Sequence, residues 1–147
     1  MSLPPTLSSG EKAPDFTMTD TDGNTFSLTD LQEKVVVLNF MATWCQSCVW
    51  EMGDLIELYN TYSIRNIVFL SVSIEPVGTV KDVIDFKSKY CAEWAYVLDD
   101  GSLFSSYEVQ VLPTTYVIDG SGTIIYGRTG IIDRQDLSNV LDELTRA

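Results

Sequence analysis

The chain has 147 residues, 45% hydrophobic and 20% charged, the size and composition of one soluble globular domain with a full core. Nine basic residues against 21 acidic ones give a net charge of −12, a field that repels phosphate backbones and excludes nucleic acid as a main partner. The absence of histidine excludes a Cys–His dyad, a Ser–His–Asp triad and any histidine-bearing metal site, and three cysteines are too few for a Cys₄ zinc centre.

No apolar run approaches the ~20 residues of a membrane-spanning helix, and Met1–Thr6 carries neither the basic patch nor the apolar stretch of a signal peptide. Residues 1–9 are expected to be a flexible leader. Pro14–Asp20 alternates as a strand, Asp22-Gly23-Asn24 signals a turn, and Thr25–Leu28 is the return strand of a hairpin. Thr29-Asp30-Leu31 reads as a short helical turn. Lys34–Phe40 is a continuous β-branched and apolar run, the mark of a strand buried on both faces.

A helix is expected from Gln46 to Tyr62, with Val49, Met52, Ile56 and Tyr59 at helical spacing and Leu55 beside them. Ile67–Ile74 is a second buried strand. Val77–Tyr90 follows as a helix with Val80, Val83, Ile84 and Phe86 near one stripe. Ala95–Leu98 is a short strand, and Ser102–Tyr107 one or two helical turns. Thr114–Ile118 and Thr123–Tyr126 flank Asp119-Gly120-Ser121-Gly122, a hairpin signal. Arg134–Thr145 closes the chain as a helix with Leu137, Leu141 and Leu144 inward and Asp133 as its cap. Strand, helix, strand, helix, hairpin, helix makes one α/β domain, 1–147, around a mixed sheet.

The chemistry concentrates at Trp44-Cys45-Gln46-Ser47-Cys48, where the first buried strand gives way to its helix. A thiol at a helix N-terminus meets free N–H groups and the positive end of the dipole, which favour the thiolate that attacks disulfides. Cys48, one turn later, is close enough to pair with Cys45 and better shielded. Cys45 is therefore the attacking thiol and Cys48 the resolving one. Glu51 shares a helix face with Cys48. Partly buried, it would exchange a proton with that thiol; exposed, it would only favour the helix dipole. Leu112-Pro113 enters the last hairpin, where an X–Pro bond can be cis, although trans is much the commoner isomer. Trp44, beside the nucleophile, is an amphipathic ring suited to shaping a substrate surface. Cys91 reads as an inert thiol near a helix end.

These features resemble the thioredoxin fold, and more closely the TlpA/ResA-like thiol–disulfide oxidoreductases, from about Gly10 to the last helix. The resemblance is carried by Ala13-Pro14-Asp15-Phe16, by Leu38–Cys45, by Cys48-Val49-Trp50-Glu51 and by Leu112–Ile118. It implies a three-layer sandwich with an N-terminal β-hairpin extension and a cis Pro113 facing the dithiol. Leu112 would then have its backbone free to pair with substrate. It also implies that Glu51 is the active-site acid, in place of the buried aspartate that thioredoxin proper carries where Asn39 stands. Ser47 stands where such relatives have proline, and adds an N–H and a hydroxyl near the Cys45 sulfur. Gly53 stands where they often have a helix-kinking proline.

The function implied is exchange of electrons with protein disulfides, as a reductant, using no cofactor beyond the Cys45–Cys48 disulfide and no metal. A thiol reductase, membrane-bound in such relatives, would supply electrons. The implied setting is extracytoplasmic, with a cytoplasmic one as the alternative. Apocytochrome cysteines, and so cytochrome c biogenesis, are the example of substrate, and a monomer is expected. A peroxidase of the same fold would need Pro-x-x-x-Thr-x-x-Cys, and a Sco-type copper chaperone Cys-x-x-x-Cys with a histidine; neither pattern is present. A non-catalytic module binding partners at the Pro113 groove is the rival reading.

Overall fold

The computed structural model describes residues 7–75 and 79–146. A five-stranded sheet in the order β5-β4-β3-β6-β7 forms its centre. β3 (Val35–Met41), β4 (Ile67–Ile74) and β5 (Ala95–Asp99) run parallel; β6 (Thr114–Ile118) and β7 (Ile124–Thr129) are antiparallel to β3 and to each other respectively. A separate hairpin pairs β1 (Thr17–Thr19) with β2 (Thr25–Ser27), the N-terminal extension the motifs imply. Its turn is tied by the Asp20 carboxylate, which accepts from Asp22 N and Asn24 N at 2.9 Å each.

Every residue of β3 is buried, because both faces of the strand are covered. One face packs under α1 (Gln46–Trp50), α2 (Met52–Tyr62), α3 (Val80–Lys89) and α5 (Arg134–Thr145), with Val37, Met41, Leu55, Val83, Leu137 and Leu141 in one apolar cluster. The other packs under α4 (Ser102–Ser106) and the N-terminal segment, with Val36, Leu38, Phe40, Phe104, Tyr107 and Tyr116 in a second. The result is the expected three-layer sandwich. Of the leader, residues 7–9 are described, and Leu7 is buried in the second cluster.

Three expected elements differ. The helix over 46–62 is broken at Glu51, whose φ of −83° and ψ of −8° end α1 before α2 begins. Glu51 is the residue whose carboxylate is drawn down onto Asn39 of the sheet. Val80 and Ile84 are 46% and 41% exposed, so only Val83 and Phe86 of the proposed stripe face inward. A ten-residue helix lying on a sheet buries a narrow stripe and leaves its flanks in water. The expected start at Val77 lies outside the described residues. Finally, β7 runs on to Thr129, because β6 offers it partners from Ile118 opposite Ile124 to Thr114 opposite Thr129, with a bulge at Ile125. The Asp133 cap is as expected, accepting from Asp136 N at 3.0 Å.

Candidate active site

β3 ends at Met41, and the chain then turns into α1 with Cys45 as its N-cap in extended conformation. An N-cap side chain accepts from the third helical residue, here Cys48. Cys45 Sγ does so, receiving the Cys48 N–H at 3.3 Å. That donor comes from Cys48 because in this cap geometry the third N–H is the one aimed at the side chain. Both cysteines are free thiols. Cys45 is 9% exposed and Cys48 1%, which is the expected order of access. Burial, and then the neighbouring Cys45, push the Cys48 thiol far above its ordinary pKa; Glu51 adds to the rise.

Glu51 is 1% exposed. Its Oε2 accepts from Asn39 Nδ2 at 2.8 Å and its Oε1 from the Ile132 N–H at 3.1 Å. Burial raises its pKa to about 7, against the two hydrogen bonds, which favour the ionised form, and with a small push from Asp54. The exposed-acid alternative is therefore wrong for this residue. Both oxygens are held, one by the sheet and one by the loop after β7, so the carboxylate has one orientation.

The AhpC/TSA family model matches residues 9–127. The chain belongs to this family, on its thiol–disulfide oxidoreductase branch. Thiol-disulfide oxidoreductase ResA of Geobacillus kaustophilus is 34% identical over 137 residues, spanning 92% of this chain and 77% of that protein. Among solved structures, the thioredoxin domain of a thiol-disulfide oxidoreductase from Bacteroides vulgatus superposes with a TM-score of 0.83 at 25% identity. That match covers 96% of this chain and all of that one. A secreted Mycobacterium tuberculosis disulfide oxidoreductase homologous to E. coli DsbE gives 0.76 at 26% identity, over 88% and 96% of the two chains. The AhpC/TSA name spans peroxidases too, but this oxidoreductase lacks their Pro-x-x-x-Thr-x-x-Cys pattern.

The Leu112–Pro113 peptide of this oxidoreductase is cis. Thr114 pairs with Phe40, so Pro113 stands level with Met41, at the end of β3 that leads to Cys45. The Pro113 carbonyl accepts from Gly130 N at 2.8 Å, and Leu112 packs against the cluster that contains both Cys45 and Cys48. Among the described residues no hydrogen bond engages the Leu112 backbone, which lies just before the β6 ladder. Trp44 is 63% exposed and so is not core filler; Trp50, which motif reading left without a role, is 66% exposed on α1. Cys91 is exposed and stands apart, just beyond α3.

Sequence reasoning missed two groups. Asn39, noted only for what it replaces, is the residue that grips Glu51. Glu75, just past β4, accepts from Thr43 N at 3.3 Å and from the Thr43 hydroxyl, bracing the turn that presents Trp44 and Cys45. Asn39 had a sequence signal: one amide inside an otherwise apolar buried strand requires a partner. Among the described residues no group of three His, Cys, Asp or Glu side chains is placed to hold a metal.

Proposed function

We propose that Cys45 and Cys48 are the redox centre, that Glu51 serves Cys48 as proton acceptor and donor, and that the protein reduces protein disulfides. The observation that carries this reading is the inequality of the two thiols under one buried carboxylate. Cys45 has an access path and an N–H aimed at its sulfur, ready to hold the charge of a thiolate. Cys48 is enclosed and resists ionisation.

In the reductive direction, the Cys45 thiolate attacks one sulfur of a substrate disulfide. The substrate S–S bond breaks, its second sulfur leaves as a thiolate and is protonated, and a Cys45–substrate mixed disulfide forms. Cys48 then gives its proton to Glu51 and attacks Cys45 Sγ. The Cys45–Cys48 bond forms, the remaining substrate sulfur leaves with its electrons, and two electrons have passed to the substrate. A carboxylate that titrates near neutral pH suits this proton transfer, because it is both populated and basic enough at the working pH.

The free backbone of Leu112, next to Pro113, is the proposed docking strip for an extended substrate segment, with the exposed Trp44 as a further apolar contact. A thiol reductase would restore the dithiol, from the membrane if the protein works outside the cytoplasm, and the secreted Mycobacterium tuberculosis neighbour supports that setting. Among the described residues no helix is long and apolar enough to cross a membrane. Apocytochrome cysteines are the first substrate to assay.

The test is a redox titration in glutathione or dithiothreitol buffers with thiol counting. One two-electron transition, lost in Cys45→Ser, is expected, with a midpoint on the reducing side of the glutathione couple. If Cys45 and Cys48 never pair, the reading fails and the partner-binding module replaces it.

A further inference from the structure

Three polar side chains lie side by side in the middle of the sheet. Asn39 of β3 is opposite Ser71 of β4 and Thr115 of β6, and all three are buried. In a sheet interior such groups must satisfy one another, since an unpaired buried polar atom is strongly destabilising. They do so in a directed chain. The Trp94 Nε1–H donates to Ser71 Oγ at 2.8 Å, and the Ser71 hydroxyl donates to Asn39 Oδ1 at 3.1 Å. Asn39 Nδ2 then donates to Glu51 Oε2 at 2.8 Å and to Thr115 Oγ1 at 3.3 Å.

The direction of this chain follows from its far end. An indole has one N–H and no acceptor, so the Ser71 oxygen must receive it. The Ser71 proton is thereby turned to Asn39 Oδ1, and the amide is left with its NH₂ end against Glu51. Reversed, Asn39 would set a carbonyl oxygen against a carboxylate and take from the Ser71 proton the acceptor it has in Oδ1.

We infer that Asn39, Ser71 and Trp94 are positioning residues for Glu51, a one-way hydrogen-bond chain that starts at the β5 edge and holds a donor against the carboxylate serving Cys48. The inference rests on the reading of Glu51 given above. The other charged or titratable groups around Glu51 are Cys48 on α1, Tyr96 on β5 and Asp54 on α2. Asp54 in turn faces Arg134 of α5 at 3.8 Å. Of these, Tyr96 also hydrogen-bonds Ser71, but it makes no hydrogen bond to the carboxylate, so a change at Trp94 or Ser71 reaches Glu51 along hydrogen bonds through Asn39.

The experiment follows the Glu51 carboxyl carbon by ¹³C NMR across pH, the resonance being assigned by its loss in Glu51→Gln, beside the pH profile of disulfide reduction. In Asn39→Ala the Glu51 inflection is expected to rise by about one pH unit, the loss of one charge-assisted hydrogen bond. Ser71→Ala and Trp94→Phe are expected to move it the same way by less, with the activity profile following. Ser71→Ala removes a single oxygen and carries the test if Trp94→Phe does not fold, as thermal unfolding will show. An inflection that belongs to Glu51 but stays in place in folded Ser71→Ala overturns the inference alone. An activity profile unchanged in Glu51→Gln overturns the reading of Glu51, and the inference falls with it.

Discussion

On one face of β3, Val36, Leu38 and Phe40 enter a core of rings; on the other, Val37, Asn39 and Met41 enter the layer under the dithiol helix. The ring core has Phe104 edge-on to Phe40 at 5.0 Å, with Tyr107 and Tyr116 at 5.5 and 6.3 Å. Its tyrosine hydroxyls find backbone carbonyls: Tyr107 donates to Pro14 at 2.6 Å and Tyr116 to Tyr107 at 3.2 Å. The dithiol face instead buries a carboxylate, an amide, several hydroxyls and two thiols among its apolar side chains. Successive side chains of a strand point to opposite faces, so a single strand supplies both environments. The comparison separates two tasks: the ring face supplies apolar packing, and the other buries the acid to which we assign the proton transfer.

The separation can be broken most severely at the nucleophile. Cys45→Ser should lower turnover in a disulfide-reduction assay by about a thousandfold or more while leaving the unfolding midpoint nearly unchanged. Cys48→Ser should accumulate the mixed disulfide, visible as a mass shift. On the ring face the reverse is expected: Phe40→Ala, fully buried in the parent, should cost about 3–5 kcal/mol in denaturant unfolding. The redox midpoint of the folded fraction should stay where it was.

Glu51 joins the two tasks through pH. Its pKa is about 7 in the folded protein against 4.5 when free, so the folded state holds the proton more tightly. Below pH about 4.5 both states are protonated and nothing is lost; stability then falls as pH rises to about 7, by roughly 3 kcal/mol in all. Denaturant titrations at several pH values should show this slope, and Glu51→Gln should flatten it. A parallel wild-type and Glu51→Gln slope would mean that the carboxylate is already solvated in the folded state and not buried as described. The smallest effect is remote from both faces: Asp133→Ala removes the α5 cap and should cost about 1 kcal/mol with activity unchanged.

Much of this was legible along the chain. The apolar run of β3, interrupted only by Asn39, the dithiol at its exit and the Asp133 cap all rest on interactions among near neighbours in sequence. So does the hairpin before β7, where the Asp119 carboxylate accepts from Ser121 N and Thr123 N at 2.9 and 3.0 Å. Glu51 was half legible: spacing placed it on the face of Cys48, but its burial depends on Asn39, twelve residues earlier, and Ile132, 81 residues later. Val80 and Ile84 misled because apolar spacing says that a stripe exists and not how wide a strip the sheet will cover.

What the sequence by itself determined is therefore the order of elements, the placing of two thiols at the exit of β3 and the inequality of access between them. Helical and strand periods, capping and turn chemistry act over a few residues. The tertiary structure alone decided which way the Asn39 amide points, that Glu51 is a buried acid, and that the Leu112–Pro113 loop lies level with the end of β3. Each of those is a register between strands or loops far apart in the chain, and a register is chosen by the packing of whole faces rather than by any local residue.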